Sequence, residues 1–141
     1  MKGNDFVIAI LKSPLHWILS GNMMVLTVTG RKSGRPITLP VSYYRDGNVL
    51  WISSKLDRQW WHNLIEGGMV LLHFRGRDME GKGELVRNPD KVVERLIAMI
   101  AVKPQYRKAF NIRLNANATL NLEDLNKLAK ERLFVKITLK M

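Results

Sequence analysis

Apolar and polar residues alternate along much of the chain with a period of two, which is typical of half-buried β-strands. Residues 37–44 show this alternation most clearly. Alternation at 37–44 and 79–86, together with β-type runs elsewhere, predicts six strands, over residues 23–29, 37–44, 49–54, 69–75, 79–86 and 133–139. Turn residues at Asp46-Gly47 and at 76–78 separate two pairs of neighbouring runs, so these strands are predicted to pair as antiparallel hairpins.

Other segments carry the spacing and the capping residues of helices. Helices are predicted over residues 4–12, from Ser13-Pro14 to Gly21, from Asp57 to Glu66 before Gly67-Gly68, from Asn88-Pro89 to Pro104, and over residues 121–132. The last two are expected to bury Val92, Val93, Leu96, Ile97, Met99 and Ile100, and Leu122, Leu125 and Leu128, respectively. Residues 106–121 are rich in Asn and are predicted to be irregular.

The order of these elements points to one α+β domain over residues 1–141. Pro40 has no N–H to donate, so strand 37–44 is predicted to lie at a sheet edge or to carry a bulge. Gly81 and Gly83 indicate strong curvature or the close approach of another element. Six mostly antiparallel strands flanked by helices favour a closed or nearly closed barrel, and a doubly wound sheet is disfavoured because helices and strands do not alternate.

Composition adds a positive charge and removes several kinds of chemistry. The chain has 23 Lys and Arg against 12 Asp and Glu, a net charge of +11, which suggests an anionic partner: nucleic acid, a membrane surface, or a phosphorylated or carboxylated small molecule. It has no Cys, which excludes thiolate metal sites and a cysteine nucleophile and permits a cytoplasmic location. His16, His62 and His73 lack ligand spacing, so no metal site is predicted, and no catalytic triad or close pair of acids stands out.

Two motifs carry candidate chemistry. Residues 30–35, Gly-Arg-Lys-Ser-Gly-Arg, combine cations with backbone N–H groups in one turn, as an anion-binding nest does, although a merely solubilising turn would read the same way. After the strand end at Ser53-Ser54-Lys55 come two adjacent tryptophans, which cannot both face one core because neighbours on a helix lie about 100° apart. One of them could line a groove for a flat aromatic ligand, or both could seal a barrel mouth.

These motifs occur in an order that resembles a known family. The residues are Thr27-Val28-Thr29 with the turn 30–36, then Leu39-Pro40, Tyr44-Arg45-Asp46-Gly47, Ser54-Lys55 and Trp60-Trp61-His62-Asn63-Leu64. Together they resemble the deazaflavin (F420)-dependent nitroreductases and quinone reductases, relatives of the FMN-binding-like split β-barrel oxidoreductases. The resemblance implies a split β-barrel that binds coenzyme F420, with FMN or FAD as alternatives, and that transfers a hydride to a quinone or a nitroaromatic compound.

The resemblance also implies roles for individual residues. Arg31, Lys32 and Ser33, with Gly34 and Arg35, would hold the phosphate and glutamate tail of the cofactor. Pro40, Ser54 and Lys55 would lie along the deazaflavin ring, and Trp60, Trp61 and Asn63 would support the pocket wall. Tyr106 would donate a proton or a hydrogen bond to the acceptor. The chain departs from the family pattern at Ile37, where a basic residue is usual, and between Lys55 and Trp60, where it is shorter and lacks Gly-Gly.

Three other interpretations stay open at this stage. The protein could be a carrier that binds the cofactor with little turnover. A nucleic-acid binder is disfavoured because no helix carries a one-sided basic stripe. The apolar helix at residues 6–11 could contact a membrane peripherally, and split barrels often form homodimers. From Arg31 to Arg58, six basic residues stand against two acidic ones, a local charge of +4, which assigns part of the positive charge to the candidate cofactor site.

Overall fold

The computed structural model describes Ile8 and residues 23–140. Seven strands form one antiparallel sheet: β1 (Met23–Thr29), β2 (Pro36–Ser42), β3 (Tyr44–Asp46), β4 (Val49–Lys55), β5 (Gly68–Phe74), β6 (Arg77–Val86) and β7 (Arg132–Leu139). A short 3₁₀ helix (Trp60–Leu64) follows β4, and three α-helices complete the described part: α1 (Pro89–Val102), α2 (Gln105–Ala109) and α3 (Leu122–Ala129).

The order of strands explains why the sheet curls. Its neighbours run β2-β1-β5-β6-β7-β4-β3, so β2 and β3 are its two edges. Only Tyr43 separates these edges along the chain, which forces the two ends of the sheet to meet. The result is a barrel that is closed except for a seam between β2 and β4, and the predicted α+β split barrel is confirmed.

Pro40 lies on this seam. Among the described strands, β2 pairs with β1 alone, so its other side is an edge, as the proline predicted. On the opposite side of the seam, β3 pairs with β4 only from Val49 to Trp51. The rest of β4, from Ile52 to Lys55, pairs with β7 on one side and leaves its other side open to the seam.

Two predicted strand boundaries were wrong. The run 37–44 divides at Tyr43, because the chain must leave one edge of the sheet and join the other there. The second hairpin turns at Arg75 and Gly76, both with positive φ (51° and 79°), so β6 begins at Arg77 instead of Met79. A two-residue turn of this kind matches the twist of the flanking strands.

The sheet separates two hydrophobic cores. The barrel interior holds side chains such as Leu26, Leu50 and Ile137, all fully buried. The second core lies between the sheet and the helices, around Phe134, Tyr44 and residues of α1 and α3. A Cβ on Gly81 would lie 2.6 Å from Ile137 Cγ2, so this glycine permits the close approach of β7 that the sequence indicated.

Several helix predictions needed correction. Asn88 does cap α1, since its Oδ1 accepts from the N–H of Asp90 at 2.9 Å, but Ile97 is 43% exposed instead of buried. Asn121 caps α3, which ends at Ala129, and Leu122 is 59% exposed because the buried face of α3 is formed by Leu125 and Ala129. The helix predicted from Asp57 is the 3₁₀ helix from Trp60, and the irregular stretch predicted from Tyr106 begins within α2.

The predicted N-terminal helix, with its membrane contact, and the turn that follows it lie outside the described residues, apart from Ile8. Within the described part, no helix has both the length and the apolar character required to cross a membrane.

Candidate functional site

A cleft of about 470 Å³ opens at the seam of the barrel. One wall is β2 from Leu39 to Ser42 with Tyr43, and the other is β4 from Trp51 to Lys55. Its remaining lining comes from the segment after β4, from the helices and from β7: Asp57, Arg58, Trp60, Met99, Tyr106, Phe110 and Arg132. The volume falls in the range of ligand pockets, which is roughly 300–1,000 Å³.

The walls of this cleft combine a flat apolar surface with unsatisfied edges. Pro40 has no donor, so β2 cannot close the seam by pairing with β4 at that point. The facing edge of β4 keeps backbone N–H and C=O groups that no described strand satisfies. Trp60 contributes an indole ring to the same wall. Such a slot accommodates a planar ring that carries hydrogen-bonding groups along its rim.

A second depression, of about 440 Å³, extends the cleft toward the basic turn. It shares Leu39, Asp57, Arg58 and Trp60 with the main cleft, and adds Ile37 and Asn63. Ile37 stands where the family usually has a basic residue, so this end of the groove is less charged than the family pattern implies. The cations near it are those of the turn and Arg58.

Asn63 connects the turn to the cleft. Its Oδ1 accepts from the backbone N–H of Arg31 at 3.0 Å, and its Nδ2 donates to the carbonyl of Trp60 at 2.9 Å. One side chain thus holds the turn against the 3₁₀ helix whose first tryptophan lines the cleft. The two motifs, far apart in sequence, form one continuous surface.

At the basic turn, side chains are more available to bind an anion than backbone N–H groups are. The N–H groups of Gly30 and Gly34 bond within the turn, that of Arg31 is held by Asn63, and that of Arg35 bonds to Ser33 Oγ at 3.2 Å. Only Lys32 and Ser33 retain backbone N–H groups outside this network. An anion at the turn would therefore meet mainly the exposed cationic side chains of Arg31, Lys32 and Arg35.

Gly30 is required by the shape of this turn. A Cβ there would stand 2.7 Å from Ser33 Oγ and 3.1 Å from the carbonyl of Arg35. Gly34 adopts φ +69°, a conformation that other residues rarely take. The shape of the turn thus explains both glycines of the motif without reference to a ligand.

The adjacent tryptophans divide their roles. Trp60 lines the cleft, whereas Trp61 is 6% exposed and packs in the barrel core, lining neither depression. Both indoles nevertheless belong to the buried core of the barrel, so the prediction that the two could not face one core was wrong. Trp60 is the one of the two that also reaches the cleft.

Tyr106, on α2, lies at the other end of the cleft from the turn and is half-buried. Its ring stacks on Phe110, with centroids 5.6 Å apart and planes inclined by 14°. Ser54 and Lys55 lie between the two ends, on β4. The structure therefore places Pro40, Ser54, Lys55, Trp60 and Tyr106 in the main cleft and Asn63 in its extension. Trp61 and residues 31–35 line neither depression, and the turn is joined to the site by the bond from the Arg31 N–H to Asn63.

Sequence reasoning missed Arg132, Ser53, Phe110 and Tyr43 as cleft residues. Arg132 was assigned to the end of a helix, but it begins β7 and pairs with Lys55 of β4. Burial lowers the pKa of Arg132, and its Nε donates to Ser53 Oγ at 2.7 Å. Burial also raises the pKa of Tyr43, an effect that the nearby Arg75 guanidinium partly offsets. The one sequence signal that could have identified Arg132 is its position as a basic residue directly before the last apolar strand.

The comparison with protein families now decides the membership of the chain. Residues 14–115 match the family described as F420H(2)-dependent quinone reductase. The chain belongs to this family. Its cofactor is accordingly of the deazaflavin or flavin class, as the sequence resemblance implied, and the family is one of oxidoreductases. No protein with curated annotation matches the chain.

Solved structures with the same fold include flavin-binding proteins. An FAD- and heme-binding protein from Mycobacterium smegmatis aligns with a TM-score of 0.54 and 16% identity, over 92% of this chain and 67% of that chain. A conserved hypothetical protein from Mycobacterium tuberculosis aligns with a TM-score of 0.59 and 16% identity, over 89% and 78%. An F420 reductase aligns with a TM-score of 0.48 and 16% identity, over 94% and 92%.

The residues of the cleft fit an F420-type cofactor. Its apolar slot between Pro40 and Trp60 suits a planar ring, and its charged lining, Lys55, Arg58 and Arg132 against Asp57, carries a net positive charge that suits a phosphate and carboxylates. None of the residues that the structure describes forms a cluster suited to a metal ion.

Proposed function

We propose that this protein is an F420H2-dependent reductase that transfers a hydride to a quinone or a nitroaromatic acceptor. The observation that carries the proposal is the bridge made by Asn63, which joins a tricationic turn to a slot lined by aromatic and apolar side chains. A deazaflavin cofactor has the matching shape, with a planar ring at one end and an anionic tail at the other.

In this proposal, the chain binds and orients the cofactor and leaves the redox chemistry to it. The side chains of Arg31, Lys32 and Arg35 attract the anionic tail. Pro40 and Trp60 hold the ring against the open edge of β4. Ser53 and Lys55 direct their backbone groups to this edge, and Ser54 between them directs its own to β7. When bound, the reduced deazaflavin supplies the hydride.

Tyr106 is the proposed proton donor. Reduction of a quinone to a hydroquinone needs a hydride and a proton, and Tyr106 lines the cleft on the helix side, where no residue of the basic turn contributes. Phe110 stacks on its ring and fixes its position. The absence of a carboxylate pair or a metal cluster among the described residues is compatible with this assignment, because the cofactor itself carries the electrons.

A binding titration tests the proposal. The purified protein is titrated separately with F420, FMN and FAD, followed by fluorescence, and reduced F420 is then mixed with a quinone. We expect binding of F420 and its oxidation by the quinone. Binding without oxidation across several quinones and nitro compounds would instead support a cofactor carrier, and failure to bind any of the three would overturn both functions.

The bridge itself can be broken by Asn63→Ala. Because this removes a hydrogen bond worth about 1.5 kcal/mol that holds the turn at the cleft, we expect F420 affinity to fall roughly tenfold. Asn126→Ala, on the exposed face of α3, is the matched control and should leave the affinity unchanged. Equal affinities for the two variants would show that the turn does not contribute to the cofactor site.

A further inference from the structure

Arg132 is a half-buried cation that has no counterion in the described part of the chain. Among the described residues, no carboxylate forms an ion pair with it, although Asp57 and Glu131 act on it through space. Its partner across the β4–β7 ladder is Lys55, another cation. Like charges directly opposite on neighbouring strands are destabilising, and no carboxylate in the described part of the chain forms an ion pair that would offset this repulsion.

The guanidinium is nevertheless held in a defined position. Its Nε donates to Ser53 Oγ at 2.7 Å, and its Cζ lies 5.0 Å from the centroid of the Phe110 ring. These contacts occupy the Nε and one face of the guanidinium. The two terminal nitrogens, which form the fork that binds carboxylates in a bidentate way, have no hydrogen-bond partner in the described part of the chain.

The position of Arg132 assigns it to the acceptor end of the site. Arg132, Phe110 and Tyr106 form a continuous stack, and Tyr106 is the proposed proton donor. Arg132, Phe110 and Lys55 also line a further depression of about 540 Å³, on whose rim lies Lys130. This depression shares Lys55, Asp57, Phe110 and Arg132 with the main cleft, and no residue of the basic turn lines either of the two.

We propose that Arg132 selects electron acceptors that carry an anionic group, a carboxylate or a sulfonate, beside the ring that is reduced. This inference rests on the proposed function, because it concerns the second substrate of the same cleft. The anionic group binds the free fork of Arg132 while the ring of the acceptor lies toward Phe110 and Tyr106. Lys55 adds a second positive charge, and Ser53 acts as a positioning residue that fixes the guanidinium.

The test compares two probes of the same ring, 4-nitrobenzoate and its neutral analogue 4-nitrobenzamide. Their binding to the full chain, with and without oxidised F420, is followed by quenching of tryptophan fluorescence, since Trp51 and Trp60 line the cleft. We expect wild type to bind nitrobenzoate at least tenfold more tightly than nitrobenzamide. Arg132→Gln should lose most of that preference and leave nitrobenzamide binding unchanged.

Three further variants separate direct recognition from other effects. Arg132→Lys keeps the charge without the fork and should restore the preference only in part. Ser53→Ala keeps the charge but frees the guanidinium, and should reduce the preference less than Arg132→Gln does. Lys91→Ala removes one exposed charge on α1, outside the cleft, and should leave the preference for nitrobenzoate unchanged. This control excludes a general effect of net charge.

The outcomes also distinguish this inference from the proposed function. If Arg132→Gln weakens F420 binding and leaves the nitrobenzoate preference intact, the cation serves the cofactor tail and the inference is overturned. Equal binding of the two probes to wild type overturns it as well. If the preference is found but F420 is neither bound nor oxidised, the anion site stands and the proposed reductase function fails.

Discussion

Arg113 and Arg132 show opposite treatments of the same side chain. Arg113 is exposed, with 67% of its side chain accessible, yet it has a complete partner in Asp124. Its Nε, a terminal nitrogen and its backbone N–H all donate to that carboxylate at 2.9 Å. Arg132 is half-buried, where a counterion would matter more, and forms no ion pair among residues 23–140.

Selection for stability alone would favour the reverse arrangement. A charge taken out of water without a partner is costly, whereas an exposed ion pair contributes little. The pair at Arg113 therefore looks like a local clamp, which ties the loop before α3 to the first turn of that helix. The charge at Arg132 is better explained by the binding of an anionic ligand. The comparison therefore indicates that half-buried cations without a counterion are the ones to test for function.

The largest effect is expected at the basic turn, where the cations are exposed and have no ion-pair partner among the described residues. Replacing Arg31, Lys32 and Arg35 together by Gln should weaken F420 binding by about 2 kcal/mol, roughly thirtyfold, because each exposed charge contributes up to about 1 kcal/mol. Since such attraction is screened by salt, the difference from wild type should shrink at high ionic strength. Fluorescence titration at two salt concentrations measures both effects.

One outcome for the triple Gln variant would contradict this prediction. A difference from wild type that is the same at low and high salt would mean that these residues shape the turn instead of attracting an anionic tail. Thermal melting serves as the control, since all three side chains are exposed and their loss should leave the melting temperature near that of wild type.

A smaller effect, on stability, is expected for Arg132→Met. Removing an unpaired half-buried charge that opposes Lys55 should raise the free energy of unfolding by about 1 kcal/mol, because an apolar side chain of similar length keeps the contact with Phe110. Urea denaturation measures the change. Arg113→Met is the matched comparison and should lower the free energy of unfolding. The contrast between the two arginines fails if Arg132→Met is the more destabilising.

The smallest effect is expected for Asp124→Asn and depends on pH. The hydrogen bonds from Arg113 hold the pKa of Asp124 at about 2, below its ordinary value of 3.8. A carboxyl group whose pKa is lowered by folding stabilises the protein above pH 3.8, and this contribution is lost as the pH falls toward 2. Wild type should therefore melt slightly above the variant at neutral pH, with a gap that closes between about pH 4 and pH 2.

Melting curves at several pH values measure that gap. A gap that stays constant down to pH 2 would mean that the charge of Asp124 is not its source. If Asp124→Asn melts above wild type at neutral pH, the ion pair between Arg113 and Asp124 destabilises the protein. The contrast between Arg113 and Arg132 would then no longer hold.

Much of the fold could be predicted from local patterns. Local patterns located six of the seven described strands within a few residues and missed only β3, and Asn88 and Asn121 marked their helix starts correctly. Pro40 identified an edge strand because its missing N–H is a property of the residue itself. The basic turn was recognisable for the same reason, since its glycines and cations are adjacent along the chain.

The boundaries that failed depend on contacts between distant segments. A 3₁₀ helix replaced the longer helix predicted from Asp57, and its buried residues Trp60, Trp61 and Leu64 all pack into the barrel core. The strand 37–44 divided at Tyr43 because the two edges of the sheet meet there. Neither condition is visible within a window of neighbouring residues.

The sequence by itself determined the antiparallel strands, the edge at Pro40, the cationic turn and, through its ordered motifs, the family. Only the tertiary structure decided that Asn63 joins the turn to the cleft and that Arg132 lies at its far end. The hydrogen bond from Arg132 to Ser53 spans 79 positions of the chain. Such a contact is set by the register of β4 against β7, which the packing of the whole barrel determines.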